Sequence, residues 1–172
     1  MAGNSGSAAR ASVTRRTMRS GELTTWRALV DITNELRKIL GVELQETGLS
    51  PGDYQVLLAL SEADRRRLRS SELAASIDWE RSRLSHHLGR MEQRGLIHRQ
   101  PCAVDSRGAE VALTDNGARI FRGATAPHMR SIKRHFADAL SPQQFEALSG
   151  VLQALREHLD QAPRGTQQGG DR

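Results

Sequence analysis

One pair of short strand-like segments interrupts a sequence pattern that is otherwise helical, and this arrangement constrains the fold more than any other feature. Residues 96–102 and 109–113 have the strand-like pattern, and residues 105–108 read Asp-Ser-Arg-Gly between them. Two such runs joined by turn-forming residues predict a β-hairpin, here with a polar, basic tip. We therefore predict a mainly α-helical chain with one small hairpin.

Four helices are predicted before the hairpin. Apolar residues recur at three- and four-residue spacing in the first of them, as in an amphipathic helix. Ser50 and Asp53 have the cap and first-turn preferences of a helix start, and Gly95 is typical of a helix end. The predicted spans are residues 22–46, a helix from Pro51, a short helix capped by Ser70 or Ser71, and residues 79–94. Residues 63–67 are expected to be a charged turn.

Two helices are predicted after the hairpin. The first is capped by Thr114 and runs to about residue 140. Ser141 and Gln144 form the pattern of a capping box at the start of the second, which extends to about residue 161. This last helix carries an apolar stripe that a monomer would leave partly uncovered.

Both ends of the 172-residue chain differ in composition from the middle. Residues 1–20 contain four arginines, no acid and almost no large apolar side chain, and residues 163–172 are rich in Gly, Gln and charge. Such segments bury too little apolar surface to fold, so we expect a disordered basic arm and a disordered tail. The remaining length is that of one domain.

Composition also narrows the function classes. Cys102 is the single cysteine, which excludes an internal disulfide and a cysteine-only metal cage. The apolar run 56–60 is far shorter than the roughly 20 residues of a membrane-spanning helix, and we expect a soluble, cytoplasmic protein. The six histidines show no converging metal-ligand set, and no catalytic signature is present, so we expect no metal, no cofactor and no enzyme. The net charge of +5 favours a polyanionic partner.

The predicted fourth helix separates apolar from cationic residues. On a helical wheel, Leu84, Leu88 and Met91 lie on one side. The remaining faces carry small, polar and cationic residues, namely Arg81, Ser82, Arg83, Ser85, His86 and Arg90. Small side chains permit close approach to DNA, while Arg, Ser and His bind phosphates and base edges. The helix is therefore predicted to enter the major groove, with His87 packing beside the buried face.

Several motifs in this region resemble those of the MarR family of transcriptional regulators. The helix-turn-helix motifs lie in residues 73–77, 82–88 and 90–97. The hairpin sequence Asp-Ser-Arg-Gly, followed by Val-Ala-Leu-Thr-Asp-Asn-Gly at residues 111–117, is similar to the wing and the following helix start of that family. The resemblance extends over roughly residues 23–161.

The resemblance implies a fold and a set of roles. The fold is a winged helix-turn-helix, residues 49–114, with a helical dimerisation region formed by residues 21–48 and 115–162. Five residues of the fourth helix match positions that meet the major groove, namely Ser82, Arg83, Ser85, His86 and Arg90, and Arg81 is a further DNA-binding candidate. Arg107 would enter the minor groove, and Asp105 would orient an arginine. A homodimer places two such helices about 34–36 Å apart, so the expected partner is double-stranded DNA with a pseudo-palindromic operator. Such a regulator is most often a repressor released by a small molecule or another signal.

Some residues leave alternatives open. By the resemblance, Trp26, Tyr54 and His128 belong to helices that border an effector pocket, although they are also ordinary candidates for the core. Cys102 is either a small strand residue or a redox switch whose pKa nearby arginines would lower. The competing functions are accordingly a redox-sensing regulator acting through Cys102 and a winged-helix protein-interaction module. Residues 78–81, Asp-Trp-Glu-Arg, depart from the Gly-Leu-Ser type of turn found in many family members, and Trp79 is expected to pack into this turn.

Overall fold

A computed structural model describes residues 17–101 and 109–161 of the chain. The chain divides into two units after Glu35, and the first helix crosses that boundary. The helices are α1 (Ser20–Gln45), α2 (Pro51–Glu62), α3 (Ser70–Ser76), α4 (Arg81–Gln93), α5 (Asp115–His135) and α6 (Pro142–Gln161). The strands are β1 (Arg67–Arg69), β2 (Ile97–Pro101) and β3 (Ala109–Leu113), and short 3-10 turns occupy Asp64–Arg66 and Ala137–Ala139. A mainly helical chain with a small sheet confirms the predicted fold class.

Three predicted helix starts are confirmed by their hydrogen bonds. At α2, the Ser50 hydroxyl accepts from the Asp53 N–H at 3.1 Å, and the Asp53 carboxylate accepts from the Ser50 N–H at 2.9 Å. The Thr114 hydroxyl accepts from the Gly117 N–H at 2.9 Å at the start of α5. At α6, Ser141 and Gln144 form the same reciprocal pair as at α2. These side chains satisfy N–H groups that the first turn of a helix leaves without a partner.

The start of α3 differs from the prediction. The cap position belongs to Arg69, whose N–H donates to the Glu72 carboxylate at 3.1 Å, rather than to Ser70 or Ser71. The Ser70 hydroxyl instead donates to the Ala109 carbonyl at 2.9 Å. A serine that was expected to cap a helix therefore ties α3 to the hairpin, a contact that local sequence does not specify.

The sheet contains a strand that the sequence did not predict. β2 and β3 pair antiparallel as expected, with Ile97 opposite Leu113 and Pro101 opposite Ala109. β1 pairs antiparallel with the other edge of β3, which gives the order β1-β3-β2. β1 lies at the end of the predicted charged turn, and three residues are too few for an alternating pattern to be recognised. Pairing with β3, which is distant in sequence, decides its conformation.

The core of the second unit is formed by residues of α2, α3, α4, the sheet and α5, with Leu44 from the end of α1. Its fully buried large side chains are Leu49, Leu57, Leu60, Leu73, Leu84, Leu88, Met91, Leu96, Ile97, Val56 and Val111. Burying one such side chain contributes about 1.5–3 kcal/mol relative to leaving it in water. Leu58 of α2, by contrast, is 37% exposed. The three-residue step from Tyr54 to Leu57 continues to Leu60 on the buried side and leaves Leu58 outside.

The last two helices differ from the prediction in extent and environment. α5 ends at His135, and the 3-10 turn Ala137–Ala139 precedes α6 instead of a continuous helix to residue 140. Glu43 near the end of α1 accepts from Arg134 and contacts His135 Nε2, both at 2.8 Å, and so joins α1 to α5. α6 has no buried residue. In the described part of the chain, no helix is long and apolar enough to cross a membrane.

Candidate nucleic-acid interface

The turn between α3 and α4 fixes where α4 begins. Asp78 has a φ of 54°, in the left-handed region that Asp tolerates better than most residues with a side chain. The Trp79 N–H donates to the Ala74 carbonyl at 2.9 Å, and Glu80 occupies the cap position. α4 therefore starts at Arg81, two residues later than predicted, and Glu80 precedes its first turn.

The faces of α4 confirm the predicted separation of residues. Leu84, Leu88 and Met91 are at most 1% exposed. The six residues predicted to contact DNA are all exposed, namely Arg81, Ser82, Arg83, Ser85, His86 and Arg90. Three of these six are cations and none is an acid. Arg107 and Asp105, predicted for the wing, lie outside the described residues, as does Cys102.

Behind this surface, the buried carboxylate of Asp53 on α2 contacts two side chains, those of His87 on α4 and of Arg94 just after α4. Asp53 is 2% exposed. Arg94, just after α4, donates to its Oδ2 at 2.7 Å and also to the Gly48 carbonyl at 2.6 Å. On the other side, His87 Nε2 lies 3.0 Å from Asp53 Oδ1. We call Asp53, His87 and Arg94 the anchor cluster, because these three residues fix α4 to the start of α2.

The anchor cluster extends to the surface through Arg90. The Arg90 guanidinium donates to His87 Nδ1 at 3.0 Å. A guanidinium has no acceptor, so Nδ1 accepts in this contact and the ring N–H lies on Nε2, the nitrogen nearer to Asp53. His87 is 8% exposed, which confirms the prediction that it packs beside the buried face of α4. A chain of polar contacts therefore runs from the interior carboxylate to a cation on the exposed face.

The pKa of Asp53 shows how strongly this network favours the ionised carboxylate. Burial by itself raises the pKa of the carboxyl group, because it penalises the charged form. The side chains of His87 and Arg94 and the backbone and hydroxyl of Ser50 bind the carboxylate and outweigh that penalty. They hold the pKa of Asp53 far below its ordinary value of 3.8. The group is therefore charged throughout the physiological range.

A second contact joins α4 to the hairpin. The Glu92 carboxylate accepts from the backbone N–H and from Nε of Arg99 on β2, each at 2.8 Å. These hydrogen bonds hold the pKa of Glu92 below its usual value. Because Glu92 is the one acid within α4 and is engaged by Arg99, it does not offset the cations of the exposed face.

The unusual residue Trp79 lies between the α2 start and α4. Its ring meets the His87 ring edge-on, with centroids 5.1 Å apart. The Arg83 guanidinium stacks over the Trp79 ring, 4.1 Å from its centroid. A Cβ placed on Gly52 would come within 2.9 Å of Trp79 Cη2 and 3.0 Å of His87 Cε1. Glycine is therefore needed at position 52 for this close approach, and the predicted packing of Trp79 into the turn is confirmed.

A cavity of about 780 Å³ borders the same residues. Its wall includes Arg37 of α1, Tyr54 of α2 and His128 of α5, as well as Trp79 and Arg83. The rings of Tyr54 and His128 are 4.6 Å apart, so two of the three predicted effector-pocket residues lie together. Trp26, the third, lies in the first unit and is 56% exposed. Burial lowers the pKa of His128, which keeps its imidazole neutral near pH 7.

Comparisons with known proteins agree with this geometry. The sequence model of the MarR family matches residues 47–108. The crystal structure of AbsC, a MarR family transcriptional regulator from Streptomyces coelicolor, is 36% identical, has a TM-score of 0.76, and covers 84% of this chain and 98% of its own. This chain belongs to the MarR family. It is a DNA-binding transcriptional regulator by that membership.

Two further similarities support the MarR assignment. Sco3205, a MarR family regulator from Streptomyces coelicolor whose structure contains DNA, is 33% identical with a TM-score of 0.75, over 83% of this chain and 94% of its own. The HTH-type transcriptional regulator YdgJ of Bacillus subtilis is 25% identical over 126 residues, which are 73% of this chain and 75% of YdgJ. The predicted MarR resemblance is thus confirmed.

Within this MarR-family chain, sequence reasoning missed the anchor cluster. Asp53 was interpreted only as a favourable charge in the first turn of α2, and Arg94 only as part of a helix end. The available signal was an acid close to a capping serine, followed about 40 residues later by the cation just after α4. Nothing local to either motif indicates that the two meet, because the contact joins residues 41 positions apart in the chain.

Proposed function

We propose that this chain regulates transcription as a homodimeric repressor that binds a pseudo-palindromic operator through α4 and the hairpin. The observation that carries the proposal is the composition of α4, with six exposed polar and cationic residues on a helix that the anchor cluster fixes from behind. Such a helix enters the major groove without large rearrangement. The regulator acts in the compartment that holds the DNA, which we take to be the cytoplasm.

The exposed residues of α4 divide into two roles by their chemistry. Arg81, Arg83 and Arg90 supply charge for phosphates, and their contribution does not depend on base sequence. Ser82, Ser85 and His86 are short enough to reach base edges when the helix lies in the groove. Arg107 of the hairpin is proposed to enter the adjacent minor groove, where the potential is most negative.

The dimer is proposed from the apolar side chains that the chain itself leaves uncovered. On α6, the exposed large apolar residues are Phe145, Val151, Leu152, Leu155 and Leu159. The first unit separately exposes Trp26, Leu29, Val30 and Ile32 on α1. Contiguous apolar surface of this kind marks an interface, and a two-fold axis pairs each stripe with a copy of the chain. Residues 21–48 and 115–162 form the proposed dimerisation region, and residues 49–114 form the DNA-binding domain.

Release from the operator is proposed to follow occupation of the cavity beside Tyr54 and His128. The cavity touches α1, α2, α4 and α5, so a ligand there contacts both the proposed dimerisation region and the recognition helix. A ligand that favours one spacing of the two recognition helices shifts the population away from the DNA-binding state.

Binding of the purified chain to DNA fragments from upstream of its own coding region, across a salt series, tests the proposal. We expect one fragment to be bound in preference to a scrambled duplex, with a steep salt dependence. Arg81→Gln should lower the slope of log affinity against log salt by about 0.9, since one phosphate contact is lost. Arg122→Gln, which removes the same charge from an exposed position of α5, is the matched control and should leave the slope unchanged.

Equal, weak binding to all fragments at low salt would contradict the proposal and favour a winged-helix module that binds proteins. Equal effects of Arg81→Gln and Arg122→Gln would show that α4 is not the surface that meets DNA.

A further inference from the structure

Arg90 differs from the other arginines on the exposed face of α4 in what holds its side chain. Its guanidinium donates to His87 Nδ1 at 3.0 Å. Arg83 instead stacks on the Trp79 ring. Arg81, which is also exposed, makes no hydrogen bond or ion pair with any residue that the structure describes. Among the described residues, Arg90 is therefore the one exposed cation of α4 whose guanidinium is held by a hydrogen bond.

The acceptor that holds Arg90 is itself rigidly placed. The His87 ring is 8% exposed and meets the Trp79 ring edge-on, with centroids 5.1 Å apart. Its Cε1 and Nε2 atoms lie so close to Gly52 that a Cβ there would come within 3.0 and 3.2 Å of them. Side chains packed in this way keep one rotamer. Nδ1 therefore presents its lone pair from a fixed position next to the exposed face.

The same nitrogen must also be free of a proton in order to accept, and Asp53 supplies the reason. Nε2 of His87 lies 3.0 Å from Asp53 Oδ1. Arg94 and the Ser50 N–H both donate to that carboxylate, which stabilises its charge. A carboxylate favours the N–H of a neutral imidazole on the nearer nitrogen and leaves the other nitrogen as an acceptor. Asp53 therefore selects the His87 tautomer that can bind Arg90.

Holding an arginine before DNA arrives raises the affinity for DNA. A long side chain that becomes ordered only on binding lowers the binding constant by a factor of about 2–10. The contact with His87 uses one N–H group of Arg90, and a guanidinium has several others. Those remaining groups are available to a phosphate oxygen, so the internal contact and a DNA contact can exist together.

We propose that His87 is a positioning residue for DNA binding, because its Nδ1 holds the Arg90 guanidinium in place for a phosphate before the DNA is bound. The inference rests on the proposed function and deepens it, since it names how the interior of the domain sets the geometry of one DNA contact. In a homodimer the gain arises once for each recognition helix. A factor of about three per helix then gives about tenfold in operator affinity.

A double-mutant cycle on operator affinity tests the inference. His87→Phe keeps a ring but removes the acceptor, and we expect it to lower operator affinity about tenfold. Its salt slope should match that of the wild type, because the phosphate contact still forms. Arg90→Gln should lower the slope by about 0.9 for each recognition helix. In the Arg90→Gln background, His87→Phe should cost nothing further, whereas in the matched control Arg81→Gln it should still cost about tenfold.

His87→Asn is the conservative variant that separates positioning from a structural role. Oδ1 of Asn is attached at the same place as Nδ1 of His and also accepts a hydrogen bond. Neither Asn nor Phe has a nitrogen at the place of Nε2, so both variants lose the contact with Asp53. A purely structural role for His87 predicts equal losses of operator affinity. We expect His87→Asn instead to restore most of the affinity lost in His87→Phe, with denaturant unfolding as the check that both variants fold.

Nuclear magnetic resonance of the wild type without DNA tests the same point with no substitution. Relaxation of the Nε–H group measures how ordered each arginine side chain is. We expect an order parameter close to that of a rigid backbone, about 0.85, for Arg90 and a value below about 0.6 for Arg81.

Several results would overturn the inference and leave the proposed function intact. They are unchanged operator affinity in His87→Phe, an unchanged salt slope in Arg90→Gln, an equal cost of His87→Phe in the Arg90→Gln background, no rescue by His87→Asn, and an Arg90 side chain as mobile as that of Arg81. A wild-type chain that does not prefer its operator to a scrambled duplex would instead overturn the proposed function.

Discussion

The helices α4 and α6 both carry an apolar stripe, yet the chain buries the stripe of α4 and leaves that of α6 exposed. α4 buries Leu84, Leu88 and Met91 in the core and is fixed further by Asp53. α6 buries none of its residues and leaves large apolar side chains such as Leu152 about half exposed. Amphipathicity therefore identifies a helix with a partner but does not say where the partner is. For α4 the partner is this chain, and for α6 we propose a second copy.

The comparison is tested most directly by truncating one leucine to alanine in each helix. Leu88→Ala should lower the free energy of unfolding by about 3 kcal/mol, since it removes buried contacts and leaves a cavity. Leu152→Ala should cost under about 1 kcal/mol in dilute protein, since this side chain is 49% exposed within one chain. Denaturant unfolding at several protein concentrations measures both. Equal losses at every concentration would show that α6 packs as α4 does.

The anchor cluster can be tested by removing its central charge. Asp53→Asn should lower the free energy of unfolding by about 2 kcal/mol, because His87 and Arg94 lose their anionic partner. Arg94 is 45% exposed and remains hydrated, which limits the loss. Asp64→Asn is the matched control: Asp64 is 96% exposed and meets Arg65 only at 3.9 Å, so it should change stability very little.

The cost of Asp53→Asn should also depend on pH with a definite sign. The folded pKa of Asp53 lies below its ordinary value of 3.8, so its carboxylate contributes fully at pH values above that value. The contribution is lost as the pH falls below it. The stability difference between wild type and Asp53→Asn should therefore be constant from pH 7 to about 5 and shrink under acid. A gap that closes between pH 7 and 5 would assign the effect to a different group.

A charge introduced on α6 is expected to change the stability of the single chain least and the assembly of the dimer most. Leu155→Asp places a carboxylate where a proposed dimer would bury a side chain that is 45% exposed in one chain. We expect the dimer dissociation constant to rise about 30-fold by analytical ultracentrifugation, in the range of an interface hot spot. Gln153→Asp, on the other side of α6, is the control. If both variants assemble like the wild type, the stripe is not the dimer interface.

Much of the fold follows from local sequence, and the examples show where local information ends. Features that depend on neighbouring residues were all predicted. They are the helix caps at Ser50, Thr114 and Ser141 and the hairpin pairing of β2 with β3. β1 and the Ser70 contact depend on β3, some 40 residues away, and were missed. The six exposed residues of α4 were predicted from its periodicity, whereas Asp53 and Arg94 meet only after α2 and α4 have packed. The periodicity of the sequence predicts which face of a helix is buried, but tertiary contacts decide which residues pack against that face.

The contacts from Asp53 through His87 to Arg90 link an interior proton to a cation on the exposed face of α4. The Nε2 atom of His87 lies 3.0 Å from a permanent anion, and the residue is 8% exposed, so we expect its proton to exchange slowly with water. Nδ1 of the same ring accepts from a guanidinium that stands on the outer surface. When that guanidinium turns toward an anion outside, the electron density of the imidazole changes, and so does the resonance of a proton about one ring width away. Nuclear magnetic resonance of this one interior proton would therefore read the engagement of the outer surface without any label placed there.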